Sequence, residues 1–181
     1  CTTETSETAC GFVVEFADII TKQKFNSTNT NKGGWRDSEL RTYINDTIYK
    51  SLPSDLQNVI TSTKVISSHG STRGETNFET QDKLYLLSSE EIWKDFASSS
   101  NAQYDTSTGT SKQLDYYKNQ GVTTSSYAGA NKQYNGSNSL WWLRSASSTD
   151  LVRFIRVLNG GEWNYYTAAG DSFGVSPAFR L

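Results

Sequence analysis

Hydrophobic residues occur in short runs along this chain, separated by polar stretches rich in Ser, Thr and Asn. The run GFVVEFADII, residues 11–20, is β-branched and aromatic and predicts a strand. We expect Gly33 and Gly34, in the polar loop that follows, to serve a turn. Apolar side chains then recur at helical spacing and predict a helix near 38–50: Leu40, Tyr43, Ile44 and Ile48.

Two four-residue segments have the form of a capping box, which marks the start of a helix. Ser54–Gln57 predicts a helix near 54–61, and Ser88–Glu91 predicts a short helix through Ile92. TKVISS and KLYLL are candidate strands, with residues 69–82 as a polar loop between them. QLDYYKN is a helical patch in an otherwise polar stretch.

The last third of the chain predicts mostly strands. SLWWLRSA is one, and Phe154–Leu158, NGGE and WNYY together predict a hairpin. GVSPAFRL alternates, with Val175, Pro177, Phe179 and Leu181 on one face, and Pro177 favours an edge or a bulge. Two helices packed on an antiparallel sheet make the predicted fold class α+β.

Residues 147–173, SSTDLVRFIRVLNGGEWNYYTAAGDSF, fit neither a buried strand nor a polar loop. Read as a strand, neither face is cleanly apolar, whereas a strand with one buried face should alternate. Clustered exposed aromatic, aliphatic and arginine side chains are typical of binding surfaces. The alternative is a strand buried on both sides, with its charges paired at the ends.

Length and charge exclude several classes of protein. The 181 residues suffice for a single domain, which we place over 1–181. The formal net charge is −2 and there is no basic stripe, so nucleic acid is not an expected partner. No apolar run approaches the roughly 20 residues that span a bilayer, so we expect no membrane insertion.

The sequence lacks the sets of residues that most catalytic and metal sites require. The single histidine, His69, is expected at the surface of a polar loop, and no nucleophile motif accompanies it. Glu90 and Glu91 sit at a helix start, where acids favour the helix dipole. Asp150, Glu162 and Asp171 lack the spacing of a calcium loop. We therefore expect no enzyme activity, no metal and no cofactor.

The only two cysteines, Cys1 and Cys10, are separated by eight polar residues. A disulfide between them would suit a secreted protein. Two free thiols and a lipid anchor on Cys1 are the alternatives.

Five motifs in this chain resemble those of a known family, and the resemblance covers about Gly11 to Leu181. The motifs are KGGWRDSELRTYIN, QDKLYLLS, LDYYKNQGVTTS, SLWWLRSA and GVSPAFRL. They resemble a family of bacterial surface-protein domains of uncharacterised function. That family is similar to the C-type lectin fold of formylglycine-generating enzymes and of the variable proteins of diversity-generating retroelements. The resemblance implies a C-type-lectin-like α+β fold.

The resemblance also implies where a ligand binds. In such variable proteins, adenine-directed mutagenesis rewrites the segment between the last two motifs, which here is 147–173. Substituted AAC codons cannot encode Lys, Glu, Gln, Met or Trp, and residues 147–158 and 164–173 contain none of these. Trp163 falls outside the set and is expected in the scaffold, as are Trp35, Trp141, Trp142, Leu143, Val175 and Phe179.

The enzyme branch of that fold is not matched, because its active-site cysteines lie near the C-terminal motifs and both cysteines here lie in the first ten residues. We expect a non-catalytic extracellular recognition domain on a bacterial cell surface or a phage virion, binding a protein or glycan. Alternatives are a fixed adhesin and, more remotely, a formylglycine-generating-type enzyme. The predicted ligand-binding residues are Thr149, Asp150, Leu151, Val152, Arg153, Phe154, Ile155, Arg156, Leu158, Asn164, Tyr165, Tyr166, Thr167, Asp171, Ser172 and Phe173.

Overall fold

The structure is a computed structural model that describes residues 12–69, 77–96, 113–147, 149–164 and 168–181. It contains short helices and short strands. The helices are α1 (Glu39–Tyr43), α2 (Tyr49–Ser51), α3 (Ser54–Val59), α4 (Ser89–Ile92) and α5 (Asp115–Asn119), with a π-helical segment Ile44–Ile48 joining the first two and a 3₁₀ turn at Ala128–Ala130. The strands are β1 (Val13–Glu15), β2 (Thr21–Lys24), β3 (Thr63–Ser67), β4 (Phe78–Asp82), β5 (Gln133–Tyr134), β6 (Ser137–Asn138), β7 (Trp141–Ala146), β8 (Phe154–Val157), β9 (Trp163–Asn164), β10 (Ser172–Val175) and β11 (Ala178–Arg180).

A five-stranded sheet in the order β2-β10-β7-β8-β9 forms the centre of the fold. All six residues of β7 are buried, because both faces of this central strand are covered. The sheet is mixed: β10 runs parallel to β7, while the other neighbours are antiparallel. The mixed α+β class is therefore confirmed, but the expectation of a purely antiparallel sheet is wrong.

The first and last strands pair with each other, since β1 and β11 are antiparallel with Val13 opposite Arg180. Strand β1 ends at Glu15: the Phe16 N–H still donates to the Pro177 carbonyl at 3.0 Å, but the Phe16 and Ala17 carbonyls accept from Lys132 Nζ at 2.5 Å and 3.3 Å. The strand predicted over 11–20 is therefore confirmed only over Val13–Glu15, and the next strand, β2, begins at Thr21.

The helical prediction is confirmed over α1, α2 and α3, and the short helices α4 and α5 lie where they were expected. The Ser88–Glu91 capping box is present with both of its hydrogen bonds. The box predicted at Ser54 is wrong, because α3 begins after Pro53 and has no side-chain cap. Gly33 and Gly34 have φ of 79° and 53°, so the expected turn is confirmed.

Three strand predictions differ from the structure, and the first is KLYLL, which forms only an isolated bridge between Tyr85 and Ala178. Residues 69–82 were expected as a loop, but Phe78–Asp82 is β4, paired with β3. Its inward positions include Thr80 and Asp82, whose polarity hides the alternation. GVSPAFRL is not one strand, since the chain leaves β10 at Val175 and resumes as β11 after Pro177.

The scaffold prediction is confirmed for six residues that are at most 5% exposed, namely Trp35, Trp141, Trp142, Leu143, Val175 and Phe179. Trp163 is partly buried and packs against the same core, with its ring 5.1 Å from that of Phe96. His69 is only 7% exposed, so its expected surface position is wrong.

A buried ion pair joins α4 to β7. Arg144 Nη1 donates to Glu91 Oε2 at 2.6 Å and to the Leu86 carbonyl at 2.7 Å, and its Nε donates to the Ile66 carbonyl at 3.2 Å. Both side chains are nearly inaccessible, with 3% and 4% of their area exposed. The Arg144 guanidinium therefore links three chain segments to β7, namely those that contain Ile66, Leu86 and Glu91.

Replacing Glu91 with Ala should lower the free energy of unfolding by about 3–5 kcal/mol, because it leaves Arg144 buried without a counter-charge. Urea unfolding measures this loss. The matched control is Asp46→Ala, which removes the exposed Lys50–Asp46 pair and should cost at most about 1 kcal/mol. Equal losses in the two variants would contradict the role assigned to the buried pair.

Candidate functional site

A buried asparagine fixes the start of the segment that the sequence singles out. Asn31 is 0% exposed, and its Nδ2 donates at 3.0 Å to the carbonyls of Ser147, Asp150 and Arg153. Its backbone N–H donates to the Leu151 carbonyl at 2.9 Å. Asn31 thus holds the loop over 149–153 through backbone carbonyls and not through the loop's side chains.

Asp150 shapes the same loop from within. Its Oδ1 accepts hydrogen bonds from the backbone N–H groups of Val152 and Arg153, both at 2.8 Å, as in an Asx-type turn. Its other oxygen lies 3.8 Å from Arg153 Nη1. Asp150 therefore has a structural role in addition to any contact with a ligand.

The end of the segment folds back onto its beginning. The Ala169 N–H donates to the Val152 carbonyl at 2.9 Å, and Arg153 pairs with Ala168 in an isolated bridge. The Ala169 carbonyl accepts from the N–H groups of Phe25 and Asn26. Residues 149–153 and 168–173 therefore lie side by side, and we call them together the loop face.

The predicted binding residues divide by exposure. Thr149, Leu151, Asp171 and Ser172 are exposed, and Leu151 reaches 69%. A larger group is partly exposed: Asp150, Val152, Arg153, Arg156, Leu158, Asn164 and Phe173. Tyr165, Tyr166 and Thr167 lie outside the described residues, as do Cys1 and Cys10.

Phe154 and Ile155 do not belong to any surface, since both are 0% exposed, and their predicted role in binding is wrong. The Phe154 ring stacks on Phe25 with centroids 3.5 Å apart and an interplanar angle of 13°. Val157 is also buried, so apolar groups from both faces of β8 are covered. The alternative interpretation, a strand buried on both sides, is right for β8, while the loop face is exposed.

Arg156 is the polar side chain of β8 that reaches the surface. Its guanidinium carbon lies 4.6 Å from the centroid of the Phe173 ring, and its Nη2 donates to Asn164 Oδ1 at 3.3 Å. The Phe173 ring stands edge-on to the buried Trp142, with centroids 4.9 Å apart. Burial lowers the pKa of Arg156, and the charge of Asp171 opposes that shift.

The sequence did not assign the polar loop before α1 to the site. Asn29 Oδ1 accepts from the Gly170 N–H at 3.0 Å, so this loop borders the loop face. Ser27 is tied to α1 by hydrogen bonds from its N–H and hydroxyl to Glu39, and these lower the Glu39 pKa. The available signal was the composition KFNSTNTNKGGW, since ordered polar loops often carry function.

A cleft with titratable groups lies elsewhere, near β1. Its volume is about 290 Å³, and its lining includes Glu15, Tyr116, Tyr117 and Lys132. Glu15 Oε2 accepts from the Tyr117 hydroxyl at 3.0 Å and lies 3.3 Å from Lys132 Nζ. Desolvation lowers the Lys132 pKa and raises that of Tyr117. With its carbonyl partners, Lys132 Nζ contacts three oxygens, so the cluster already fastens β1 to α5.

Two further observations concern the described residues only. Across the described ranges, no group of three or more His, Cys, Asp or Glu is placed to hold a metal ion. None of the helices in those ranges has the length and apolar character needed to cross a membrane.

Comparison with known proteins gives a single finding. A family model described as "Domain of unknown function (DUF6273)" matches residues 13–181, which is nearly the whole chain. No curated protein and no solved structure matches.

Asn31→Ala should destabilise the chain by about 1–3 kcal/mol, because the Ser147 and Asp150 carbonyls lose the donor that Nδ2 supplies. Urea unfolding gives the free energy, and hydrogen exchange should show faster exchange at the Val152 and Arg153 amides. Asn29→Ala is the matched control, as it removes one exposed acceptor and should cost under about 1 kcal/mol. Unchanged amide exchange in Asn31→Ala would show that other contacts hold the loop.

Phe154→Ala should cost about 3–5 kcal/mol, the usual loss for a phenylalanine removed from a core. Leu151→Ala should change stability by less than about 0.5 kcal/mol, since Leu151 is 69% exposed. Thermal and urea unfolding of the two variants test the division between core and surface inside one segment. Similar losses would mean that Leu151 is also packed.

Proposed function

We propose that this chain, which belongs to the DUF6273 family, is a non-catalytic extracellular recognition domain that binds its ligand through the loop face. The observation that supports this proposal most strongly is the arrangement of residues 149–153 and 168–173. They are distant in sequence, adjacent in space, and held through backbone hydrogen bonds while exposing Leu151, Asp171 and Ser172.

A C-type-lectin-like architecture is part of the proposal. The motifs behind the resemblance occupy structurally central positions, because SLWWLRSA forms β7 and GVSPAFRL forms the end of β10 and all of β11. Both motifs are buried and flank the loop face in sequence. A rigid scaffold that presents two adjacent loops supports a recognition role.

We further propose that the loop face is diversified, as in variable proteins of diversity-generating retroelements. A diversified segment needs side chains that can change without unfolding the domain. Asn31 contacts the carbonyls of residues 147, 150 and 153, which every amino acid supplies. The segment also holds positions that packing restricts, namely Phe154, Ile155 and Val157.

The domain would act on a bacterial surface or a phage virion and would bind a protein or glycan there. A fixed adhesin with the same fold is the second candidate, and the constrained β8 strand is compatible with it. The cleft at Glu15 gives the enzyme alternative a location, but the mutual contacts of Glu15, Tyr117 and Lys132 favour a structural role for these groups.

Sequencing this gene across a population of the source organism tests the proposal. Non-synonymous substitutions should be several-fold denser at codons 149, 151, 153, 156, 171 and 172 than at codons 154, 155 and 157. Those buried codons are the internal control, since they share the segment and differ only in exposure.

Equal density across 147–173, or low variation throughout the gene, would reject a diversified loop face. Low variation would favour the fixed adhesin.

A further inference from the structure

The Arg156 guanidinium is the outermost of three packed side chains, with Phe173 beneath it and Trp142 in the core. The sheet register places it opposite Trp142 on one side and Asn164 on the other, and residues paired in this way share a face. Trp142 is fully buried, Phe173 packs edge-on against it, and the Arg156 guanidinium lies over the Phe173 ring. This packing fixes the position of the positive charge.

The guanidinium has more donors than partners. It carries five N–H groups, and among the described residues it donates one long hydrogen bond, to Asn164. Its Nε is buried without an acceptor. The Asp171 carboxylate lies near enough to raise the pKa of Arg156, but among the described residues the hydrogen bond of this guanidinium goes to Asn164 and not to Asp171.

Three other buried or half-buried cations among the described residues have oxygen partners. Arg144 contacts Glu91 and two carbonyls, Lys132 contacts three oxygens, and Arg41 contacts Asp82 and a carbonyl. Arg180 also has unpartnered nitrogens, but it is only 2% exposed and closed to an external ligand. Arg156 differs because it combines missing acceptors with partial exposure.

We propose that the Nη1 and Nη2 groups of Arg156 bind, in bidentate fashion, the carboxylate of an Asp or Glu side chain on a protein ligand. The inference rests on the proposed recognition function and names the chemistry of its partner. The planar guanidinium matches a carboxylate. Partial burial strengthens the attraction relative to a fully hydrated arginine.

The surroundings favour a protein as the source of that carboxylate. Leu151, on the loop face, is 69% exposed and offers an aliphatic contact that a hydroxylated sugar ring would not use well. Arginine anchors beside aromatic and aliphatic groups are typical of the energetic centres of protein interfaces.

The test is an NMR titration of the full chain that follows the Arg156 Nε–Hε resonance together with the backbone amides of Asn164 and Phe173, which every variant retains. The probe is N-acetyl-glutamate N-methylamide, and the matched neutral probe is N-acetyl-glutamine N-methylamide. We expect a saturable shift with the acidic probe only. Arg156→Lys, which keeps the charge but loses the planar fork, should weaken binding at least fivefold.

Three controls make the titration decisive. Lys64→Gln removes a surface cation of β3 that pairs with Glu79 outside the loop face, and it should leave the affinity within twofold. Glucuronate and inorganic phosphate test the other anion sources and should bind more weakly than the glutamate probe. Circular dichroism checks that each variant is folded.

The proposal is overturned if the acidic probe causes no shift, if glucuronate or phosphate binds more tightly, or if Lys64→Gln weakens binding as much as Arg156→Lys. Failure here is distinguishable from failure of the recognition function. A diversified loop face in the sequencing experiment together with a silent titration would reject only the carboxylate partner.

Discussion

The contact on which the loop face depends is that between the buried amide of Asn31 and the backbone carbonyls of Ser147, Asp150 and Arg153. The proposed diversification would require a loop that stays rigid while its side chains change, and this kind of support would allow it. Backbone carbonyls are the same for every residue type, so the hydrogen bonds survive when the loop's side chains change. The Ala169 N–H bond to Val152 couples the second loop to the first through backbone atoms as well.

Beneath the loops, the scaffold is stiff because its central strand is covered on both faces. Strand β7 contributes Trp141, Trp142 and Leu143 to the core, and its Arg144 ties three segments together through Glu91 and backbone carbonyls. Arg156 is the point where scaffold and surface meet. Its backbone belongs to the buried sheet, while its guanidinium extends over Phe173 toward solvent.

The sequence predicts those features that depend on local pattern or on large apolar side chains. The helix spacing from Leu40 to Ile48, the Ser88 capping box and the buried tryptophans are of this kind. Strand β4 was missed because a charged residue, Asp82, occupies one of its inward positions. Its carboxylate accepts hydrogen bonds from Trp35 and Arg41, which lie about 40 residues away or more in sequence. Phe154 was assigned to the surface because a strand covered on both sides has no alternation. Asn31 could not be identified, since its partners lie more than 115 residues further along the chain.

The central claim is tested most directly by a mutational scan of every position from 149 to 164 and from 168 to 173. The readout is the fraction of each surface-displayed variant that survives protease treatment, which reports the folded fraction. The account predicts broad tolerance at Thr149, Leu151, Asp171 and Ser172, and intolerance at Phe154, Ile155 and Val157. It also predicts intolerance at Asn31, scanned alongside. Uniform sensitivity across both groups would contradict the separation of a changeable face from a fixed scaffold.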